Sequence, residues 1–369
     1  MNIEDYELKH IIEPLLDWFF QHARILPWRA DPSPYRVWVS EIMLQQTRVE
    51  AVKPYFERFV QALPGVKELA ECEEEKLLKL WEGLGYYNRV RNMQLAARQI
   101  MDQYNGTLPR EYEQLISLKG IGSYTAGAIA SIAYGKAVPA VDGNVLRVIS
   151  RVSMDDRDIL SAAVKKNMEQ QLLEIMPPEA SGFNQALMEL GAMICIPNGA
   201  PKCEQCPLHT LCLTKENQAF SRIPVKSKSG KRRVEEHTIL LIRDGDRILL
   251  NKRPTKGLLA GLYEFVNLNG FRSEEEVLQM IGEMELRPLQ IQQTADAKHI
   301  FSHVEWQMKG YLIRVEALSE EEEKKYILAE ISDFKDHYPI PSAFSAYAEL
   351  LQIRHGMDAA RIDGQRGSR

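Results

Sequence analysis

Residues 118–130 read Leu118-Lys119-Gly120-Ile121-Gly122-Ser123-Tyr124-Thr125-Ala126-Gly127-Ala128-Ile129-Ala130. Two glycines one residue apart allow a turn whose backbone N–H groups point outward. The small and apolar residues after it predict a helix, which brings its positive N-terminal end to the same point. Turn and helix together suit a phosphate. G-x-G alone marks many turns, but the full string L-x-G-x-G-x-x-x-A-x-x-I is far more specific. Neither a Walker motif nor a dinucleotide fingerprint is present, since no acidic ribose partner follows a strand.

The sequence around this turn is helical in pattern. Ile11, Ile12, Leu15, Leu16 and Phe19 recur at helical spacing, as do Leu77, Leu78 and Trp81, and Val145, Leu146 and Ile149. Proline and glycine punctuate every 10–20 residues, from Pro27 through Gly83 to Pro139. The prediction is an all-α region over residues 1–222, built of short helices, with a helix–hairpin–helix at about 112–134.

Two acids in this region have contrasting surroundings. Asp142, in Val141-Asp142-Gly143-Asn144-Val145, lies where a turn enters a helix. It is either a plain N-cap or an acid kept ionised by the helix N-terminus. Glu41 is embedded in Val37-Trp38-Val39-Ser40-Glu41-Ile42-Met43-Leu44. It is either an exposed acid on an amphipathic helix or one whose pKa burial has raised. As a pair they suit cleavage of an N-glycosidic bond, which needs a proton on the leaving base and an anion beside the oxocarbenium ion.

Four of the five cysteines, Cys195, Cys203, Cys206 and Cys212, form a compact C-x7-C-x2-C-x5-C run. This suits an iron–sulfur centre better than the paired knuckles of structural zinc. Zinc and unligated thiols are the alternatives. Lys202 sits inside the loop and is a candidate phosphate contact. Cys72, among Glu71, Glu73, Glu74 and Glu75, reads as an ordinary reduced thiol.

Residues 223–233, Ile-Pro-Val-Lys-Ser-Lys-Ser-Gly-Lys-Arg-Arg, carry five basic residues and no acid. They predict an exposed linker that is either a solvated tether or a phosphate contact. Beyond it the period changes. His237–Ile242 and Arg247–Asn251 are β-rich runs separated by Asp244-Gly245-Asp246, a hairpin signal. Val304–Val315 reads as a strand, and Ser273–Met284 and Ala343–Ile353 read as helices. Residues 234–354 are therefore a smaller α+β domain, followed by a polar tail, 355–369, expected to be disordered.

The whole chain has 369 residues, 45% hydrophobic and 26% charged, with net charge −5. This is globular composition for two or three domains and excludes general disorder. Five cysteines do not make a disulfide scaffold. No apolar run is long enough to span a membrane, and Met1–Tyr6 has no signal-peptide character. The expectation is a cytoplasmic protein. The negative net charge argues mildly against DNA binding, so local basic surface must supply it.

Leu-Pro-Trp-Arg at 26–29, SEIMLQQTRV at 40–49, GLGYYNRVRN at 83–92, LKGIGSYTAGAIA at 118–130, VDGNVLRV at 141–148 and the cysteine loop occur in that order. Together they resemble the A/G-specific adenine DNA glycosylases (MutY type) of the helix–hairpin–helix superfamily, over roughly residues 8–215. The bifunctional endonuclease III type carries a lysine nucleophile where this chain has Tyr124, and no lysine lies between Lys119 and Lys136. Lysine forms the Schiff base of lyase chemistry, so the resemblance is to monofunctional enzymes. The C-terminal half looks like a Nudix relative. It lacks the catalytic G-x5-E-x7-R-E-x-x-E-E-x-G box and keeps only Glu264 and Glu274-Glu275-Glu276 nearby.

The resemblance implies base-excision repair of adenine opposite 8-oxoguanine or guanine in duplex DNA, with the adenine flipped into a pocket. It implies Glu41 as proton donor and later water activator, with Asp142 stabilising the oxocarbenium ion. Tyr124 and Asn144 would position these two acids. Arg24, Trp28 and Gln185 map to the adenine pocket, with core packing the other reading of Trp28. Leu44, Gln46, Thr47 and Tyr86 would fill or wedge the duplex, and Gly120 and Gly122 would hold phosphate. Phe301, Ser302 and His303 map to 8-oxoguanine recognition; taken alone they read as a structural turn. A [4Fe-4S] cluster on Cys195, Cys203, Cys206 and Cys212 is implied, although the family separates the first two by six residues and this chain by seven. A nucleoid-associated monomer is expected, with the linker as docking point for a repair or replication partner. Three alternatives are a glycosylase for another base, a non-catalytic DNA-binding protein, and a nucleotide pyrophosphohydrolase.

Overall fold

The computed structural model describes residues 7–227, 230–335 and 337–353, so the 355–369 tail lies outside the described residues. The described residues fall into two units: 7–71 with 91–227, and 72–90 with 230–353.

The first unit is helical. A 3-10 turn leads into α1 (Ile12–His22), α2 (Pro27–Ala30), α3 (Pro34–Leu44), α4 (Val49–Ala62) and α5 (Val66–Glu71). After α6 (Glu74–Leu80), which belongs to the second unit, come α7 (Asn88–Tyr104), α8 (Tyr112–Ile116) and α9 (Ser123–Ala128). Next come α10 (Gly143–Ser153), α11 (Ala162–Glu174), α12 (Ala180–Met193) and α13 (Leu213–Glu216). Prolines at the first turns of α2 and α3 fix φ where the helix needs no donor. The spacing of Ile11, Leu15 and Phe19 is explained by packing: they meet Val145, Ile149, Phe183 and Leu187 in one core of α1, α10, α11 and α12.

The expected hairpin lies between α8 and α9. Gly120 has φ +76°, and a Cβ there would stand 2.6 Å from that of Asn92, so turn and packing both demand glycine. α9 runs on into a π-helical turn, Ile129–Ala133. At Gly127 an added Cβ would lie 2.1 Å from the Pro139 carbonyl oxygen. The bare glycine lets the run before Asp142 press against α9.

The linker is not wholly a tether. The Ile223 carbonyl accepts from Arg151 Nε at 3.2 Å, and the Val225 carbonyl accepts from the Ile159 amide at 3.1 Å. Its first residues are thus fastened to the helical unit.

The second unit centres on a seven-stranded sheet. Its strands are β1 (Arg233–Asp244), β2 (Arg247–Lys252), β3 (Tyr263–Asn269), β4 (Pro288–Gln293), β5 (Ala297–Ile300), β6 (Val304–Val315) and β7 (Ile327–Glu330). The order is β4-β6-β1-β3-β2-β7, with β5 also on β6. β1 and β6 pair in parallel from Arg233↔Val304 to Arg243↔Arg314, and all other pairs are antiparallel. The predicted hairpin joins β1 to β2.

Both sheet faces are covered, which is why Ile239–Ile242 is apolar without alternation. Leu240 and Ile242 face α14 (Glu274–Glu283), whose Ser273–Glu276 capping box sets its start. Ile239 and Leu241 face Phe344 and Tyr347, the latter on a helix at Ser345–Leu350. The stretch 72–90 joins this unit through Glu75, which accepts from Tyr263 Oη at 2.8 Å and pairs with Lys252 at 2.7 Å.

Candidate active site

Glu41 lies in α3 and is only 5% exposed, which settles its two readings in favour of burial. Burial pushes its pKa up to about 7, aided by the negative charge of Asp142 and opposed by Tyr124 and Arg29. Tyr124, in the first turn of α9, donates its phenolic proton to Glu41 Oε2, and its oxygen lies 3.3 Å from Met188 Sδ of α12. Burial and the charges of Glu41 and Asp142 hold the Tyr124 phenol well above its usual range, so it stays a donor.

Asp142 is the N-cap of α10. Oδ1 accepts from the backbone amides of Asn144 at 2.9 Å and Val145 at 2.8 Å, and Oδ2 accepts from Asn144 Nδ2 at 2.7 Å. The helix N-terminus favours the ionised form, as expected, but burial works against it. Burial is the largest influence and raises its pKa, against the cap bonds and Arg147 that lower it. Arg147, 4% exposed, donates to Asn144 Oδ1 at 2.8 Å, to the Gly191 carbonyl at 2.8 Å and to the Cys195 carbonyl at 2.8 Å. It ties the Asp142 cap to α12 and to the cysteine loop.

Sequence reading missed two participants, Glu189 and Arg29. Glu189 of α12 is 2% exposed. Arg24 Nε and Nη2 donate to its two oxygens at 2.6 and 2.9 Å, and Arg29 Nη2 donates to Oε2 at 3.0 Å. Burial alone would raise its pKa, but the two arginines outweigh it and hold it at about 2. Arg29 Nε also donates to Gln185 Oε1 at 2.9 Å. Arg24 and Gln185, expected in one pocket, are thus joined through Arg29 and Glu189. The test that picked out Glu41, an acid in an apolar helix, applies equally to Glu189 in Ala186-Leu187-Met188-Glu189-Leu190. Trp28 is 6% exposed and packs edge-on against Phe56 at 5.4 Å, in keeping with its core reading.

Gln46 lies just past α3 with φ +64°, and Tyr86, 54% exposed, has φ +47°. Both occupy the left-handed region that side chains seldom adopt. Leu44 and Thr47 are half-buried beside Gln46, while Gly120, Gly122 and Lys202 are exposed. In the second unit, Phe301, Ser302 and His303 form the turn between β5 and β6, closed by the Phe301 amide on the Val304 carbonyl at 2.8 Å. Phe301 stands edge-on to Trp306 at 5.0 Å, and Ser302 Oγ lies 2.9 Å from Tyr86 Oη.

Cys195, Cys203, Cys206 and Cys212 line a single cavity with Arg151, Leu190 and Phe220. Among the described residues no group of three His, Cys, Asp or Glu side chains is arranged to hold a metal ion. Four thiols lining one cavity are a soft donor set that fits a thiolate-bound metal centre, iron–sulfur or zinc. Arg151, 4% exposed, reaches Cys195 Sγ at 3.3 Å and offers a compensating charge. Within the first interval Gly199 has φ +77°.

Residues 39–178 match the model of the HhH-GPD superfamily base excision DNA repair proteins, and residues 237–350 match that of the NUDIX domain. The adenine DNA glycosylase of Mus musculus is 35% identical over 362 residues, covering 82% of this chain and 70% of its own. That of Buchnera aphidicola (strain APS) is 33% identical, covering 85% of this chain and 89% of its own. Among solved structures, a thermostable thymine-DNA glycosylase superposes with TM-score 0.50 at 27% identity, covering 57% of this chain and 96% of that one. An endonuclease III trapped on DNA gives TM-score 0.50 at 23% identity and supports the fold alone. No described helix is long and apolar enough to cross a membrane.

Proposed function

The chain belongs to the adenine DNA glycosylases, N-glycosyl hydrolases of base-excision repair, and on that premise we propose that it is a monofunctional enzyme releasing adenine opposite 8-oxoguanine or guanine. The observation that carries the chemistry is Glu41, buried, bonded by Tyr124 and raised to about 7 beside Asp142. A carboxylic acid with that pKa is protonated for much of the time near neutrality, as a general acid must be.

With adenine flipped into the site, Glu41 gives its proton to N7. The C1′–N9 bond then breaks, its electron pair goes to the base, and neutral adenine leaves. Asp142, its carboxylate held by the α10 cap, faces the positive charge on C1′ and O4′. Glu41, now a carboxylate, takes a proton from the water that attacks C1′, and the site returns to its starting state. Asn144 holds Asp142, and Tyr124 holds Glu41. Arg24, Arg29, Gln185 and Glu189 form a polar group suited to a purine edge, with Trp28 packed behind.

Gln46 and Tyr86, each set on left-handed backbone, would enter the duplex, with Leu44 and Thr47 beside Gln46. Gly120 and Gly122 would anchor a phosphate, and Lys202 another. Phe301, Ser302 and His303 would read 8-oxoguanine, Ser302 from its position next to Tyr86. Cys195, Cys203, Cys206 and Cys212 would hold a [4Fe-4S] cluster, which when bound cross-links a loop poor in apolar residues. The enzyme would act as a monomer, associated with the nucleoid through its substrate. The exposed remainder of the linker would be free for a repair or replication partner.

The test uses a duplex with one adenine opposite 8-oxoguanine, read before and after hot alkali. Strand cleavage only after alkali, much weaker with adenine opposite thymine, is the expected result. Cleavage without alkali would refute a monofunctional enzyme, and no cleavage would refute adenine as the target.

A further inference from the structure

The residues that join 72–90 to the sheet unit include a buried ion pair. Lys79 of α6 and Glu82, in the turn after it, meet at 2.7 Å, with side chains 15% and 6% exposed. Each also bonds to sequence some 255 residues away. Glu82 Oε1 accepts the buried Ile340 amide at 2.8 Å. The Lys79 ammonium donates to the Phe334 carbonyl and, at 3.4 Å, to that of Tyr338. Its three protons therefore have three acceptors, one of them charged.

From Glu82 the chain runs on to Tyr86 through a well-bonded turn. Trp81 Nε1 donates to the Gly85 carbonyl at 3.1 Å. Arg89 Nη2 donates to the Leu84 and Gly85 carbonyls at 3.0 and 3.2 Å. The same guanidinium stacks on Trp81 at 5.5 Å and on Tyr86 at 5.4 Å. The turn 81–86 is thus stiff from the ion pair to the phenol, which ends 2.9 Å from Ser302 Oγ.

We propose that Lys79 and Glu82 are specificity-determining positioning residues, a latch that holds Tyr86 against Ser302 so that the two present one preformed surface to the base opposite the adenine. This rests on the reading of Ser302 as an 8-oxoguanine contact and of Tyr86 as the side chain that enters the duplex beside it. An exposed tyrosine on left-handed backbone has many alternatives, and the latch removes them before DNA binds. Neither latch residue meets the adenine, so the latch acts on preference between opposing bases and not on bond cleavage.

The test compares single-turnover adenine release from duplexes with 8-oxoguanine or guanine opposite, for wild type, Lys79→Met and Glu82→Gln. Hydrogen exchange over residues 79–90 and 331–340 is read in parallel on the full chain. Lys79→Met should lower the preference for 8-oxoguanine about tenfold, change the rate opposite guanine less than twofold, and speed exchange at 82–90. Glu82→Gln keeps an acceptor for Ile340 and should show a smaller loss, which keeps the test informative if Lys79→Met folds poorly. Tyr86→Phe should add less than twofold in the Lys79→Met background, because the contact is already gone. Equal losses on both duplexes, or full preference retained despite faster exchange, would overturn the latch. A wild type without preference would instead overturn the reading of Tyr86 and Ser302, and the latch's role with it.

Discussion

Glu41 in α3 and Glu189 in α12 are both lone acids on apolar helices, 5% and 2% exposed, yet they titrate at opposite ends of the carboxyl range. Glu41 has a phenol as its bonded partner and a second carboxylate nearby, and burial takes it to about 7. Glu189 has two guanidiniums bonded to it and falls to about 2. Burial raises both, and the charge placed around each group decides whether that rise stands. One environment makes a proton donor, and the other makes a fixed anion that holds two arginines in place.

The largest expected effect comes from abolishing one side of this contrast. Glu41→Gln should slow adenine release by about 10²–10⁴-fold, the range of general acid catalysis, while duplex affinity changes less than threefold. Single-turnover release and equilibrium binding on one duplex check this. Removal of the other acid should act on folding first. Glu189→Ala leaves Arg24 and Arg29 facing each other without their anion, and loss of one member of such a buried group costs about 3–5 kcal/mol. A urea midpoint lowered at unchanged slope is the readout.

The two acids also have opposite linkage to pH. A folded pKa of about 7 against an ordinary 4.5 means that ionising Glu41 opposes folding. Its contribution is fully favourable below about 4.5 and is lost as pH rises through 7. Glu41→Gln should therefore be more stable than wild type at pH 8, by an amount approaching about 3 kcal/mol, although it is inactive. Glu189 contributes stability above 4.5 and loses it only as pH falls through about 2. Thermal melts at pH 5 and pH 8 separate the two. The smallest effect concerns Arg29, whose charge lowers the Glu41 pKa. The release rate should fall about tenfold per unit above pH 7, and Arg29→Met should move that limb to higher pH.

Legibility in the sequence divides along the same line. Glu41 and Asp142 could be paired from sequence because glycosidic chemistry needs two carboxylates in unlike surroundings. Glu189 passed the same test unread, because nothing local shows that Arg24 and Arg29 converge on it across 165 and 160 residues. The helices and β1, β2 and β6 were visible as periodic or β-rich runs. β4, Pro288–Gln293, is an exposed edge with glutamine at three of its six positions, and β5 spans four residues, so neither stands out as a β-rich run. The segment 72–90 reads as part of the helical region. Only the bonds of Glu75, Lys79 and Glu82 to distant backbone and side chains reveal its association with the sheet.

The central claim, that burial makes Glu41 a donor while two arginines override burial and make Glu189 a fixed anion, is tested most directly by following both side-chain carboxyl carbons by NMR in the free protein as pH is varied. Glu41 should titrate near pH 7, and Glu189 should stay ionised until the pH approaches 2. Midpoints near 4.5 for both would contradict it.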